Sequence, residues 1–264
     1  FVMKIYIPLT AYQKRVYQGY GHQKSEQELI FGPNIADWPH MSKLADHLIL
    51  KVASFLTDSV TTTDELIPSG ETSSYRSNPI RLAEFTLIRK DPNYVGKAKP
   101  LLKGESSRIR GDDFFNDVPE LKTVFKKIKS IDGFEELDPQ TVGIGSTIYA
   151  VKPGDGSARE QAASCQRVLG GWANIANEYA TKRYRSNLIN WGMIPFLVLD
   201  EPTFKLDDYI FIPNVRKLIE AKEAKFSGYI VSSEIKPIEL VLDEMSEEER
   251  GIVLAGSLIN HYGN

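Results

Sequence analysis

The sequence has little cysteine and little histidine, and this scarcity limits the chemistry that it can hold by itself. One cysteine, Cys165, among 264 residues excludes an internal disulfide. The four histidines show neither i, i+4 pairing nor the neighbouring cysteines of a zinc site. A self-contained metal centre is therefore not expected, and Cys165 is predicted to be a small buried hydrophobic residue.

Long apolar runs and an excess of positive charge are also missing. No run approaches the roughly 20 residues that cross a bilayer, and the N-terminus lacks the sections of a secretory signal. The 32 basic residues are balanced by 35 acidic ones, so no general positive field favours nucleic acid or an anionic membrane as a partner. With 42% hydrophobic and 25% charged residues, the composition predicts a globular, cytoplasmic protein.

The first part of the chain gives mixed signals for secondary structure. Residues 1–60 contain short apolar runs broken by turn residues, which predicts extended structure and loops. Within them, His47–Leu56 fits a helix or a buried strand, and we favour strand. Asn78-Pro79 predicts the start of a helix of about ten residues. Residues 93–113, rich in Gly, Lys, Ser and Arg, are predicted to be an exposed connection.

The second part shows clearer periodicity. Asp117 and Glu120 predict a capping box before an amphipathic helix whose lysines indicate a solvated face. From residue 143 onward strands and helices alternate, the pattern of an α/β layer arrangement. A second capping box, at Ser246 and Glu249, predicts a helix near the end of the chain.

We therefore predict one α/β domain over residues 1–264. In this prediction the N-terminal extended segment, residues 1–110, is wrapped on an α/β core formed by residues 111–264. The core contains the most informative loop of the sequence.

That loop, residues 153–161, joins an apolar strand to a helix through Pro-Gly-Asp-Gly-Ser-Ala-Arg-Glu-Gln. Gly154 and Gly156 permit a tight turn, and the first helical turn offers unpaired N–H groups with partial positive charge. The planar fork of Arg159 completes a pattern that indicates anion binding. The signatures of nucleotide-binding loops are missing. Ser157 is either the N-cap, with Arg159 an ordinary surface residue, or a reactive hydroxyl, and the local pattern leaves both open.

A second candidate segment begins at Thr61-Thr62-Thr63-Asp64. A strand of β-branched residues is predicted to carry Asp64 at its end, a turn follows at residues 68–70, and Arg76 lies twelve positions after Asp64. Asp64 and Arg76 are either site residues or a turn-stabilising acceptor with its ion-pair partner.

Together the two segments resemble the C-terminal swivel domain of the aconitase family. Gly154–Gln161 is similar to the family's Gly-x-Gly-Ser-Ser-Arg-Glu-His stretch, and Arg185–Gly192 is similar to its helix after the next strand. Thr62-Thr-Asp64 resembles the family's Thr-Thr-Asp-His, and the interval to Arg76 suits its active-site Asp and substrate-binding Arg. Residues 64–78 further resemble the bacterial aconitase-like hydratase branch.

The resemblance implies a fold and a set of roles. The implied fold is the swivelling β/β/α domain of aconitase domain 4 and of the isopropylmalate isomerase small subunit. The implied activity is that of a hydro-lyase that removes and re-adds water on a hydroxy-polycarboxylic acid. Ser157 would be the catalytic base and Asp64 a second catalytic residue near the metal. Arg76, Arg159 and Ala158 would occupy substrate-binding positions.

The same resemblance implies a [4Fe-4S] cluster, held by three cysteines in preceding domains. A chain with one cysteine cannot supply them, so we expect the cluster in other domains or in a partner subunit, and no activity from this chain alone. The chain begins at Phe1, without an initiator methionine, and we expect it to be part of something longer.

Three positions depart from the family pattern. Ala158 replaces a second serine, and Glu65 and Gln161 stand where histidines are usual. The departures imply a substrate other than citrate or isocitrate, or a non-catalytic module that binds a polycarboxylate or a protein partner. RNA binding is a third possibility at Lys182–Arg185, but this pattern is typical of a solvated helix face, and nucleic acid is not expected as a partner.

Overall fold

The chain divides into two compact units, Phe1–Ile35 and Ala36–Asn264. The computed structural model describes residues 10–22, 24–28 and 30–263. The prediction of a single domain over the whole chain stays a prediction.

The first unit contains helix α1 (Ala11–Gly19), where the sequence predicted extended structure or loop. The prediction is wrong here because Thr10 and Gln13 form a reciprocal capping box, which satisfies two N–H groups at the start of the helix. The part of the prediction that falls on residues 1–9, 23 and 29 lies outside the described residues.

The second unit is built on one large sheet and one small sheet. The strands of the described chain are β1 (His47–Leu56), β2 (Thr61–Thr62), β3 (Val142–Ala150), β4 (Pro153–Asp155), β5 (Gly171–Ala176), β6 (Ile194–Leu197), β7 (Tyr209–Ile212), β8 (Lys225–Val231) and β9 (Ile235–Val241). The order in the large sheet is β1-β3-β5-β6-β9-β8-β7, and β1 also pairs with β7, so the sheet closes on itself. Strands β2 and β4 form a separate parallel pair.

The large sheet is half parallel and half antiparallel. Strands β1, β3, β5 and β6 run parallel, whereas β7, β8 and β9 pair antiparallel. Parallel neighbours need crossover connections, and helices supply them between β3 and β5 and between β5 and β6. The prediction of a mixed α/β fold is confirmed, as is strand structure at His47–Leu56.

Helices surround this sheet. In the described part of the second unit they are α2 (Thr63–Leu66), α3 (Pro79–Ala83), α4 (Tyr94–Arg110), α5 (Leu121–Ile128), α6 (Arg159–Val168), α7 (Lys182–Asn190), α8 (Val215–Glu220), α9 (Glu247–Ala255) and α10 (Leu258–Tyr262). Among the described residues, none of the helices combines the length and the hydropathy needed to span a membrane.

Apolar side chains form three buried layers. One fills the interior of the closed sheet and includes Trp172 and Phe196. A second packs α3, α6 and α7 onto β3 and includes Ala162, Ala163 and Tyr184. A third lies under α4 and α5. The second layer matters most for the site, because it fixes the helix that follows the glycine-rich loop.

The predicted connection at residues 93–113 is instead helix α4. Glycine, serine and the internal Pro100 weaken local helix propensity, which is why the sequence favoured a loop. Tyr94, Ala98 and Leu101 are nonetheless fully buried on one face of the helix, which packs against β3. Tertiary packing therefore overrides the local preference.

The cap predictions had mixed outcomes. Asn78 caps α3 through Arg81 N–H, but the helix is only five residues long. The capping box at Ser246 and Glu249 is confirmed. The one at Asp117 is wrong: α5 starts at Leu121 without a side-chain cap, because Asp117 instead contacts Ser107 and Lys103 of α4.

A buried guanidinium ties the end of α6 to two other segments. Arg167 is 4% exposed and donates hydrogen bonds to the carbonyls of Gly171, Ser42 and Gly256 at 3.3, 3.1 and 3.2 Å. It also lies 3.7 Å from the centroid of the Trp172 ring. Burial lowers the pKa of Arg167 to about 10, so the side chain keeps its charge at neutral pH. The cation is held by carbonyl dipoles and an aromatic face instead of by a bonded carboxylate.

We expect Arg167→Met to lower the free energy of unfolding of this chain by about 3 kcal/mol, because buried carbonyls lose their donors. Urea unfolding measures this quantity. Arg110→Met, which removes an exposed pair with Asp112 and one hydrogen bond to Ser107, is the control and should change it by less than about 1 kcal/mol. Equal effects of the two substitutions would contradict the structural role of Arg167.

Candidate active site

The glycine-rich loop begins within β4 and turns sharply into α6. Gly154 and Gly156 have φ values of 99° and 131°, in the region that favours glycine. A Cβ on Gly154 would lie 2.3 Å from atoms of the Tyr184 ring. The loop backbone therefore lies directly on the buried ring, where no other residue type would fit.

Tyr184 is itself fixed by a closed network of buried polar side chains. Its hydroxyl donates to Asn174 at 2.7 Å and accepts from Gln166 at 3.0 Å, and Asn174 donates to Gln166 at 2.6 Å. These bonds connect α6, β5 and α7. A fully satisfied buried network specifies one arrangement of its members, so the surface on which the loop lies is rigid.

Thr63 contacts the loop from the second candidate segment. A Cβ on Gly156 would lie 2.3 Å from Thr63 Oγ1. The parallel pairing of β2 with β4 sets this approach by placing Thr61 opposite Pro153 and Thr62 opposite Asp155. The fold thus brings together the two segments that the sequence singled out, although they are far apart along the chain.

The start of α6 has no side-chain cap. Ala158 occupies the N-cap position, and no side chain accepts a hydrogen bond from the first turn. Ser157 is exposed, and its hydroxyl makes no hydrogen bond to the described residues. The alternative in which Ser157 caps the helix is therefore wrong, because the chain enters the helix one residue later. The first-turn N–H groups remain free for a ligand.

Arg159 adds an unpaired positive charge at the same place. Its Nε atom is buried without a hydrogen-bond partner, and no carboxylate of the described chain lies within ion-pair distance of it. Unfilled donors next to free helix N–H groups favour an anion, and a carboxylate matches the planar fork of arginine.

Asp64 lies two residues beyond the end of its strand, whereas the sequence predicted it at the strand end. Strand β2 ends at Thr62, and Asp64 belongs to the short helix α2. The cause is a capping box: Thr62 Oγ1 accepts from Glu65 N–H, while Glu65 accepts from Thr62 N–H at 2.7 Å. Glu65, in the position where the family's histidine was expected, therefore has a structural role in this chain.

The ion-pair partner of Asp64 is Arg89 and not Arg76. No sequence pattern had indicated Arg89. Arg89 Nη1 lies 2.5 Å from Asp64 Oδ2, and Nη2 contacts Glu71. Arg76 is exposed, forms no ion pair among the described residues, and reaches only the Ser69 carbonyl at 3.5 Å. The alternative in which Arg76 is the ion-pair partner of Asp64 is therefore wrong, and Arg76 is left available to a ligand.

The described residues do not fit a metal or a cluster. No group of three or more His, Cys, Asp or Glu side chains among them could hold an ion. Cys165 is buried beneath α6, and burial raises the pKa of its thiol to about 12, which disfavours the thiolate that a metal requires. Its prediction as a buried hydrophobic residue is confirmed.

The basic segment on α7 is not an open aromatic patch. Tyr184 is fully buried, and Arg185 donates to the carbonyls of Asp243 and Glu244. Lys182 and Arg183 alone are exposed. This arrangement offers no ring on which a base could stack.

We expect Gly156→Ala to displace the loop for two reasons. The added Cβ would clash with Thr63, and alanine is strained at a positive φ. Gly111→Ala is the matched control, since its φ of 78° gives strain but no atom lies within 4 Å of the added Cβ. In urea unfolding, Gly156→Ala should lose at least about 1 kcal/mol more than the control. Equal losses would contradict the contact.

Glu65 gives a prediction about pH. The Thr62 N–H lowers the pKa of the Glu65 carboxyl, with Lys90 contributing further. The charged form therefore stabilises the fold above the ordinary carboxyl pKa, and this stability is lost as the pH falls through the lowered pKa. Glu65→Gln should cost about 1 kcal/mol near neutral pH in urea unfolding, and this cost should shrink as the pH falls through the lowered pKa. Glu136→Gln, at an exposed site, is the control. A loss at Glu65 that does not change with pH would show that the charge of its carboxylate does not stabilise the fold.

The chain is similar in sequence to proteins of known family. Residues 140–201, which include the loop, α6, β5 and α7, match the profile of the aconitase C-terminal domain. The chain is 23% identical over 259 residues to aconitate hydratase A of Rickettsia bellii, covering 91% of this chain and 29% of that protein. A 3-isopropylmalate dehydratase structure from Methanocaldococcus jannaschii is 19% identical, with a TM-score of 0.48 over 81% of this chain and 93% of that one.

The chain spans less than a third of the length of its curated relative, so the comparison concerns one part of such a protein. Within this part, the profile match falls on the loop and the helix that form the candidate site. Residues 140–201 of this chain are therefore similar to the C-terminal domain of the aconitase family.

Proposed function

We propose that this chain is the swivel domain of an aconitase-like hydro-lyase and supplies a serine base and carboxylate-binding arginines. The supporting observation is the uncapped start of α6, where the free hydroxyl of Ser157 adjoins unpaired N–H groups and an unpaired Arg159. The relative from Rickettsia bellii is named an aconitate hydratase.

Ser157 is the proposed base because its surroundings favour an anion. A serine hydroxyl is too weak an acid at neutral pH unless fixed donors stabilise the alkoxide. The first-turn N–H groups of α6 and the guanidinium of Arg159 are such donors. The alkoxide would accept the proton next to a substrate carboxylate, and the resulting negative charge would be held by the same donors.

Arg159 and Arg76 are the proposed carboxylate ligands, because both lack carboxylate partners in the described chain. Asp64 would line the site beside the loop, to which its neighbour Thr63 is packed. Ala158 supplies no hydroxyl where the family has a second serine. This missing donor supports a substrate other than citrate or isocitrate within the hydroxy-polycarboxylic acids.

The site is open in this chain, since Asp155, Gly156, Ser157 and Asp64 are all exposed. An open site is poorly suited to proton abstraction, because water screens the donors that stabilise the alkoxide. We therefore propose that cluster-bearing domains cover this face, either in the same protein or in a partner subunit. These domains would supply the [4Fe-4S] cluster, for which the described residues of this chain provide no set of ligands. The swivelling β/β/α fold is part of the same proposal.

The test uses the chain joined to its cluster-bearing domains, with the cluster reconstituted anaerobically and a panel of hydroxy-polycarboxylic acids as substrates. Ser157→Ala should lower kcat at least about 100-fold, because the base is lost, while leaving the iron content and the unfolding midpoint unchanged. Ser227→Ala, at an exposed position on β8, is the control. Unchanged turnover in Ser157→Ala would reject the role of the serine, and bound iron without turnover in the unaltered protein would favour a non-catalytic carboxylate-binding module.

A further inference from the structure

A strained turn places two consecutive cations, Arg89 and Lys90, against the segment that carries Asp64. Leu87 has a φ of 57°, which a branched side chain rarely adopts, and its side chain is fully buried. Its N–H donates to the carbonyl of Leu66, the last residue of α2, at 2.8 Å. Burial and this hydrogen bond hold the turn in place, so its position is fixed relative to α2.

The two cations contact two consecutive carboxylates. Arg89 bridges Asp64 and Glu71 with its two terminal nitrogens. Lys90 lies 2.9 Å from Asp58 and 3.2 Å from Glu65. Each carboxylate of the Asp64-Glu65 pair is therefore held by its own cation, and each cation has a second acidic partner outside α2.

These contacts contribute little to the stability of the fold. The side chains of Arg89, Asp64 and Glu71 are 43%, 58% and 69% exposed, and ion pairs between exposed groups add little net stability. Their consequence is geometric instead. A planar guanidinium shared between two carboxylates restricts the orientation of both, which a single flexible cation does not do.

We propose that Arg89 is a positioning residue that holds the Asp64 carboxylate in its working orientation beside the loop of Ser157. The proposal rests on the proposed function, because it gives Asp64 a role in the reaction. The path of contact is short: Arg89 binds Asp64, and the neighbouring Thr63 packs on Gly156, the residue before Ser157. Loss of the guanidinium would leave Asp64 free to rotate while α2 stays capped by Glu65.

The kinetic test uses the same reconstituted protein. Arg89→Gln should lower kcat about tenfold and change KM less than about threefold, since a misplaced group affects the reaction more than binding. Arg89→Lys should recover part of kcat, because one cation can still hold Asp64. Lys99→Gln, which breaks an exposed pair with Glu84 of similar exposure, is the control and should leave both constants unchanged.

A double-mutant cycle separates positioning from direct contact with substrate. If Arg89 acts through Asp64, Arg89→Gln should cause no further loss of kcat in an Asp64→Asn background. A loss of equal size in both backgrounds would overturn the proposal by showing that Arg89 acts on its own. Unchanged kcat in Arg89→Gln, together with a loss in Ser157→Ala, would overturn this proposal alone and leave the proposed function standing.

A measurement without turnover tests the contact itself. In nitrogen-15 NMR of this chain, the Arg89 side-chain N–H signals should exchange slowly with water. Both Asp64→Asn and Glu71→Gln should accelerate that exchange at least about fivefold, because each removes one acceptor. Fast exchange in the unaltered chain would overturn the proposal. Slow exchange in a protein without turnover would support the contact and reject the proposed function instead.

Discussion

The close approach of Gly156 to Thr63 is the contact on which the candidate site depends. Only a residue without a side chain allows it, and the pairing of β2 with β4 brings the Thr63 side chain to the Gly156 backbone. One side of the contact continues into Ser157 and α6, and the other into Asp64. The two short segments are therefore held next to each other by the pairing of β2 with β4 and by this contact.

The charges around this contact fall into two groups with different consequences. Arg89 and Lys90 each contact two carboxylates, one of which lies on α2. Arg159 and Arg76 have no carboxylate partner in the described chain and remain available to a ligand. Arg159 and the free N–H groups at the start of α6 lie next to each other and can bind an anion.

Local sequence patterns predicted those helices and strands whose formation depends on residues close together in the sequence. The glycines of the loop and the apolar runs on each side of it predicted β3, α6, β5 and α7. Helix α4 was missed because its stability comes from packing on β3, against its own propensity. The ion-pair partner of Asp64 was not predicted. Arg89 lies beside Asp64 because Leu87 adopts a positive φ, and no local sequence pattern indicates that conformation.

We propose that residues 154–159 and residues 62–64 bind a carboxylate ligand together. Nitrogen-15 NMR of this chain, titrated with propane-1,2,3-tricarboxylate, measures this binding. We expect the backbone amide signals of both segments to shift with one common dissociation constant, and Arg159→Gln to abolish both sets of shifts. Shifts confined to one segment, or shifts that survive Arg159→Gln, would contradict it.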